Sequence, residues 1–366
     1  MSRKHNMILF LEYSAGGRRG GEHFTGHLHS FLKRNLGDIY PPDYSQRPQE
    51  LEAVLGAAKS SIKLVKELSP DLIVADVSSG SRNVMAVRWM KKRGGKILVI
   101  VQDQRMTYKF SNFSPVKWFI QSCERYLVRH ADVLVVNSEH IAGLSRKMAK
   151  RNIPTVIARP GMELPRNHYV GRGNIEERGN APMQLLSAGE PSKRKGTLYL
   201  IQAMSLLKDL NVRLHITGSF YPRNSYCRKL TKLIEHHGLA DRIIFHGYIE
   251  RSALIDLYQS CSLFVLPSLS EGYGIALAEA LYFGLPVIAT NVAAIPELIT
   301  DGVNGLLVPP ADPRALADAI RIMASDTKMY ERISRENCLK AATLPRWEDF
   351  DNSLAKGLLP LLRELL

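Results

Sequence analysis

Short apolar runs recur along the chain, separated by segments with helical spacing of apolar residues. In the first half the runs are 7–11 (Met-Ile-Leu-Phe-Leu), 72–75 (Leu-Ile-Val-Ala), 97–101 (Ile-Leu-Val-Ile-Val), 133–136 (Val-Leu-Val-Val) and 155–157 (Thr-Val-Ile). In the second half they are 184–187, 212–216, 243–245, 263–266 and 287–289. Continuous apolar runs of this length fit strands buried on both faces. Segments 47–69, 193–208, 225–237 and 312–324 carry helical patterns. Alternation of this kind predicts parallel sheets joined by crossover helices, an α/β fold. The stretch 165–182 is polar, Gly-rich and aperiodic, so it reads as a linker. This divides the chain into an N-terminal domain (1–165), the linker (166–182), a C-terminal domain (183–343) and a tail helix (344–366).

At 366 residues, two domains are the natural expectation. No apolar run reaches the roughly 20 residues of a spanning helix, and the apolar part of the start is too short for a signal peptide. Cys123, Cys227, Cys261 and Cys338 are widely spaced, which fits reduced thiols in a cytoplasmic protein better than a disulfide framework or zinc site. The net charge of +14 is uneven: residues 1–180 hold 29 Lys/Arg and 16 Asp/Glu, and the remainder 20 and 19. The basic half is expected to favour a polyanionic surface, either anionic lipid or nucleic acid.

Chemistry concentrates at 268–280, Ser-Leu-Ser-Glu271-Gly-Tyr-Gly274-Ile275-Ala-Leu-Ala-Glu279-Ala, between an expected strand and an expected helix. Backbone N–H groups near Gly274 and Ile275 at a helix start suit an anion such as a diphosphate. Glu271 lies in the loop and Glu279 about two turns into the helix. Carboxylates repel phosphate, so the pair is expected to bind hydroxyls, and together these features point to a sugar nucleotide. A structural turn with two solvated glutamates is the plain alternative. A second strand-to-helix junction, Gly189-Glu190-Pro-Ser-Lys193-Arg194-Lys195-Gly196, places three cations where a helix dipole opposes them. An anion there would offset the cost; a solvated basic turn is the alternative.

The run 263–320 closely resembles the nucleotide-sugar-binding half of retaining glycosyltransferases of the family-four type. Its segments 284–290, 295–299, 301–308 and 310–317 follow in the family's order. The first half resembles the family more weakly. The resemblance implies a GT-B fold, with two Rossmann-like domains facing across a cleft. It also implies a metal-independent, retaining hexosyltransferase that needs no cofactor, only a nucleoside-diphosphate sugar of UDP or GDP type. Glu271 would fix donor-sugar hydroxyls, Glu279 the ribose, and Lys195, with Arg194, the diphosphate. Glu271 and Lys195 are the expected catalytic pair. Gly20 and Gly21 resemble the loop that approaches the diphosphate and the acceptor, a tight glycine turn being the plain alternative, and Tyr248 resembles the base-binding turn. The family has an Arg where this chain has Glu190. Val156–Glu163 and Leu344–Phe350 resemble the segments that end the first domain and return to it, with Trp347 a packing anchor.

The acceptor side is thinner. Asp103, following Gln102, stands near a family histidine that this chain lacks. Segment 105–119 interleaves Arg105, Lys109 and Lys117 with aromatics, including Trp118. It suits a bilayer interface, stacked single strands, or simply a packing helix. His23, His27 and His29 share a helix spacing without a matched carboxylate, so no metal is expected. The expected acceptor is a glycan or lipid-linked molecule, with the protein cytoplasmic and peripheral on an anionic membrane. A sugar-nucleotide epimerase, a nucleic-acid-binding protein and an inactive partner subunit are the competing readings. The absence of a clear acid/base pair counts against the first, and the two glutamates against the second.

Overall fold

The structure is a computed structural model, and describes residues 7–11, 20–36, 39–40, 61–77, 80–102, 115–162 and 181–366. The chain forms two compact units: residues 1–161 with 345–366, and residues 162–344. The sequence linker falls almost wholly outside the described residues.

The first unit is built on six parallel strands. In chain order its elements are β1 (Ile8–Phe10), α1 (Gly20–Leu36), β2 (Ile39–Tyr40), α2 (61–68), β3 (Leu72–Asp76), α3 (Gly80–Lys92), β4 (Lys96–Val101), α4 (Pro115–His130), β5 (Val133–Val136), α5 (Glu139–Ala149) and β6 (Thr155–Ile157). The sheet order is β2-β1-β3-β4-β5-β6. Ile73, Val99 and Leu134 pack under α2 to α5 on one face, while Ile8, Val74, Ile100 and Val135 face the other. That second face is covered by Phe24, Leu28 and Leu32 of α1 and by Phe350, Leu354 and Leu358 of the final helix, α13 (Trp347–Leu365). Both faces are therefore apolar, as the continuous strand runs require.

The return of α13 is locked at its start. The Arg346 amide donates to Asp349 Oδ2 at 2.8 Å. The Trp347 ring stacks on His27 at 3.6 Å between centroids. Gly161 lies so close beneath this turn that an added Cβ would stand 2.1 Å from the Trp347 amide nitrogen. The three helix histidines divide accordingly: His27 packs against Trp347, and burial together with Lys33 lowers the pKa of His29. The side chain of His23 lies outside the described residues.

The second unit has the order β7 (Met183–Ser187), α6 (Thr197–Ser205), β8 (Val212–Thr217), α7 (Ser225–His237), β9 (Ile243–Gly247), α8 (Arg251–Ser260), β10 (Leu263–Leu266), α9 (Ile275–Tyr282), β11 (Val287–Thr290), α10 (Ile295–Leu298), β12 (Leu306–Val308), α11 (Pro313–Ser325) and α12 (Thr327–Ala341). Its parallel sheet runs β12-β11-β10-β7-β8-β9. Neighbouring strands β7 and β10 thus carry their following loops to one edge, the edge at which such sheets bind ligands.

Two expectations need correction. The helix expected over 193–208 begins only at Thr197, because Gly196 takes a left-handed φ of 67° and residues 193–196 form a turn. Glu279 is the fifth residue of α9, little more than one turn in, because the helix starts late, at Ile275.

Replacing Gly161 by Ala should destabilise the first unit by about 2 kcal/mol or more, because the displaced atoms are backbone. Thermal unfolding followed by circular dichroism checks this. An unchanged midpoint would mean that the Trp347 turn yields at little cost.

Candidate active site at two strand-to-helix junctions

The loops after β7 and β10 meet. Gly196 is seated against Pro267, where a Cβ would fall 1.8 Å from the Pro267 carbonyl oxygen. The Leu269 amide donates to the Arg194 carbonyl at 2.7 Å. Each loop ends in a left-handed glycine, Gly196 at 67° and Gly274 at 96°, and each glycine begins a helix without a side-chain cap. The first amides of α6 and α9 therefore receive no capping oxygen from Gly196 or Gly274.

Glu271 joins the two loops. Its carboxylate is buried and lies 2.8 Å from Lys195 Nζ and 3.2 Å from Arg194 Nη1. Ser268 Oγ donates to the same oxygen at 2.7 Å, and Arg194 also donates to the Ser270 carbonyl at 3.1 Å. Thr290 holds the loop from behind through the Ser268 carbonyl. Burial alone would raise the Glu271 pKa. The charges of Lys195 and Arg194, with hydrogen bonds from Lys195 and Ser268, prevail and hold it at about 2. Lys195 reaches this position across Gly189, whose missing side chain leaves 3.1 Å between the ideal Cβ position and Lys195 Cε. Two of the three cations of this junction, Arg194 and Lys195, do not crowd a helix start unopposed: the loop after β10 supplies a counter-charge.

Glu279 is held separately. Tyr258 Oη, fully buried, donates to Glu279 Oε2 at 2.9 Å, and Arg251 Nη1 lies 2.7 Å from Oε1. Burial, followed by the Glu279 charge and its hydrogen bond, pushes the Tyr258 pKa well up, so the phenol stays a donor. Arg251 and Tyr258 were not singled out in the sequence. Their seven-residue spacing along α8 puts both on one helix face, but nothing local links them to a glutamate 21 or more residues on.

Glu190 is exposed, with its backbone against Gly218. Tyr248 is 50% exposed just beyond β9, where the Gly218 amide donates to the Gly247 carbonyl at 2.8 Å. A further contact ties the neighbouring strands: His215 lies 2.8 Å from His246 and 2.7 Å from Gln184 Oε1. The Gln184 amide donates to Pro182, so its Oε1 accepts from His215 Nε2–H and His215 Nδ1 accepts from His246.

In the first unit, Gly20 and Gly21 are not in a tight turn but form the first turn of α1. Gln102 follows β4 and donates to the buried Asp76 Oδ2 at 3.0 Å, while Asn137 Nδ2 donates to the Gln102 carbonyl. This polar cluster at the carboxyl ends of three strands was not foreseen beyond Gln102. Asp103, Arg105 and Lys109 lie outside the described residues. Lys117 falls in α4, and its side chain is not described. Trp118 is exposed rather than packed. Among the described residues, no group of three or more His, Cys, Asp or Glu is placed to hold a metal.

Residues 174–338 match the sequence model described as Glycosyl transferases group 1, and residues 19–161 that described as Glycosyl transferase 4-like domain. Among curated proteins, the D-inositol 3-phosphate glycosyltransferase of Xylanimonas cellulosilytica is 29% identical over 58% of this chain and 53% of its own length. That of Streptomyces avermitilis is 30% identical over 58% of this chain and 48% of its own length. The chain thus spans about half the length of the curated relatives it matches. Among solved structures, sucrose-phosphate synthase of Thermosynechococcus elongatus superposes with a TM-score of 0.75 at 20% identity, covering 99% of both chains. Anabaena HepE in complex with UDP and glucose gives 0.74 at 20%, covering 97% and 99%.

Because the Glu271 pKa is depressed, its contribution to stability is complete above the usual carboxylate value of about 4.3 and is lost as pH falls towards about 2. Glu271→Gln should remove that component, a few kcal/mol in order of magnitude. Urea unfolding at pH 7, 4 and 3 should therefore show a smaller acid-induced loss in the variant. Parallel losses in the two proteins would place the acid sensitivity elsewhere.

Proposed function

Since this chain belongs to the group 1 glycosyltransferases, we propose that it moves a sugar from a nucleoside-diphosphate donor to an acceptor hydroxyl, with retention and without a bound metal. The observation that carries this reading is the meeting, at one sheet edge, of Lys195 and Arg194 with the start of α9, which Gly274 leaves without a side-chain cap; at the start of α6 the Leu198 amide already donates to Tyr226 Oη at 3.1 Å. A departing diphosphate develops negative charge. Preorganised amides and cations aimed at it stabilise the transition state more than the ground state. These groups supply the positive charge that the leaving group needs.

The state of Glu271 supports a mechanism without a protein nucleophile. A carboxylate with a pKa of about 2, tied to two cations, is a weak base and a weak nucleophile at neutral pH. Its role here is to accept from donor-sugar hydroxyls and to set the position of Lys195. Deprotonation of the acceptor then falls to the departing phosphate oxygen. The C1–O bond to phosphate breaks, its electron pair stays on the phosphate oxygen, and that oxygen takes the acceptor proton. The acceptor oxygen bonds C1 from the same face, which preserves the anomeric configuration. Glu279, oriented by Tyr258 and Arg251, accepts from the ribose hydroxyls. Structural neighbours solved with UDP favour a uridine donor, and the acceptor proposed is a glycan or lipid-linked molecule.

Glu190 favours a second reading, an inactive donor-binding subunit, because it stands where the family's diphosphate-binding Arg is expected. Turnover separates the two readings.

Thermal shift with UDP-glucose, UDP-N-acetylglucosamine and GDP-mannose should identify a stabilising donor. With it, Lys195→Ala and Glu279→Ala should each lower turnover at least about tenfold while the fold persists. Wild-type rates in both variants would sink the site. Product NMR should show the donor's anomeric configuration, and EDTA should leave the rate unchanged. Donor binding without turnover would establish the inactive-subunit reading.

A further inference from the structure

The first turns of α4 do not pack as a core helix would. Trp118, Phe119 and Ile120 are 58%, 55% and 37% exposed. Consecutive helix residues differ by roughly 100°, so three in a row cover a wide arc. The start of α4 is therefore exposed over much of its circumference. The neighbouring helix α3 packs alongside α4 and adds Met85, 49% exposed. Both Met85 and the α4 triplet lie in the first half of their helices, the half nearest the carboxyl ends of β3 and β4. Large apolar side chains grouped on a surface mark an interaction site rather than ordinary exposure.

Charge identifies the occupant. Residues 80–96 and 115–130 contain nine Lys/Arg and a single acidic residue, Glu124, which is fully buried. Arg88, Lys92, Arg93 and Arg129 are exposed, and Arg93 lies over the Trp89 ring at 4.8 Å. Among the described residues, this helix pair therefore shows solvent aromatic and cationic groups with no acidic side chain. A protein partner would need a complementary acidic apolar groove. A bilayer of anionic lipid offers apolar depth and negative headgroups together, and aromatic rings settle at that boundary with cations near the phosphates. Among the described residues, no helix is long and apolar enough to cross a membrane, so this contact would be peripheral.

We propose that the α3–α4 face docks the protein onto an anionic lipid surface, with Trp118, Phe119 and Ile120 entering the interface and Arg88, Lys92 and Arg93 facing headgroups. The inference does not depend on the transfer reaction, because its readout is lipid binding.

The test uses the full chain with vesicles of phosphatidylcholine alone and of phosphatidylcholine with about 30% phosphatidylglycerol, by co-sedimentation at low and high salt. Binding to the anionic vesicles should exceed binding to the neutral ones at least about tenfold and weaken with salt. Trp118→Ser with Phe119→Ser should cut anionic-vesicle binding about tenfold, and Arg88→Glu with Lys92→Glu should do the same by a different route. All four residues are exposed, so both double variants should keep the parent melting temperature. Equal binding to the two vesicle types, or full binding by both variants, overturns the proposal. So does a result in which the variants lose affinity for single-stranded RNA but not for vesicles, which would assign the face to nucleic acid.

Discussion

The second unit's site depends on one buried charge. Without Glu271, the Lys195 ammonium and Arg194 guanidinium would face each other across a half-buried junction beside two helix N-termini, an arrangement of like charge only. With it, the loops after β7 and β10 share an ionic centre, and Lys195 is held at 2.8 Å instead of extending into water. The cost of burying a carboxylate is offset by two cations and the Ser268 hydroxyl, which is why its pKa goes down despite burial. Glycine makes the approach possible: Gly189 lets the lysine stem cross, and Gly196 lets the turn touch Pro267.

Parallel strands β7 and β10 are neighbours although they lie far apart in sequence. That adjacency brings a basic turn and an acidic turn together. Under the proposed function, an incoming diphosphate would meet cations already fixed in place by the internal ion pair, so little side-chain entropy would remain to be lost on binding. The phosphate would then share those cations with Glu271 rather than having them to itself.

Much of this was legible in the amino-acid sequence, for identifiable reasons. Strands buried on both faces leave continuous apolar runs, and seven of the ten segments read as strands are of this kind, while 155–157, 184–187 and 212–216 mix polar with apolar residues; all ten correspond to strands of the two sheets. β2, only two residues long, carries too little pattern to be read, and β12 (Leu306–Val308) was not picked out as a strand. Glu271 and Lys195 were each visible as site residues because of the turns around them, yet their contact was not, since 76 residues separate them and only the sheet order joins them. The Ser268-x-x-Glu271 spacing, which often signals side-chain contact at a helix start, was the local clue to the Ser268 hydrogen bond. The late start of α9 was hidden because Gly274 can begin a helix or interrupt one, and its left-handed φ decides which. In the first unit, the exposure of Trp118 could not be inferred from spacing, since an aromatic at helical period reads the same whether it packs inward or stands out.

The first unit is sewn from both ends of the chain, and this has a consequence for how the protein is made. Its sheet is complete by Ile157, yet the α13 half of one apolar layer, Phe350, Leu354 and Leu358, lies beyond the whole of the other unit. During synthesis the layer formed by Ile8, Val74 and Ile100 must therefore wait, partly uncovered, while residues 162–344 emerge. The contiguous second unit can finish folding before the first, so assembly runs against the usual order from amino to carboxyl end. A nascent chain stalled ahead of Trp347 would carry one closed body and one with an open, adhesive flank, a state in which chaperone capture is at its most useful.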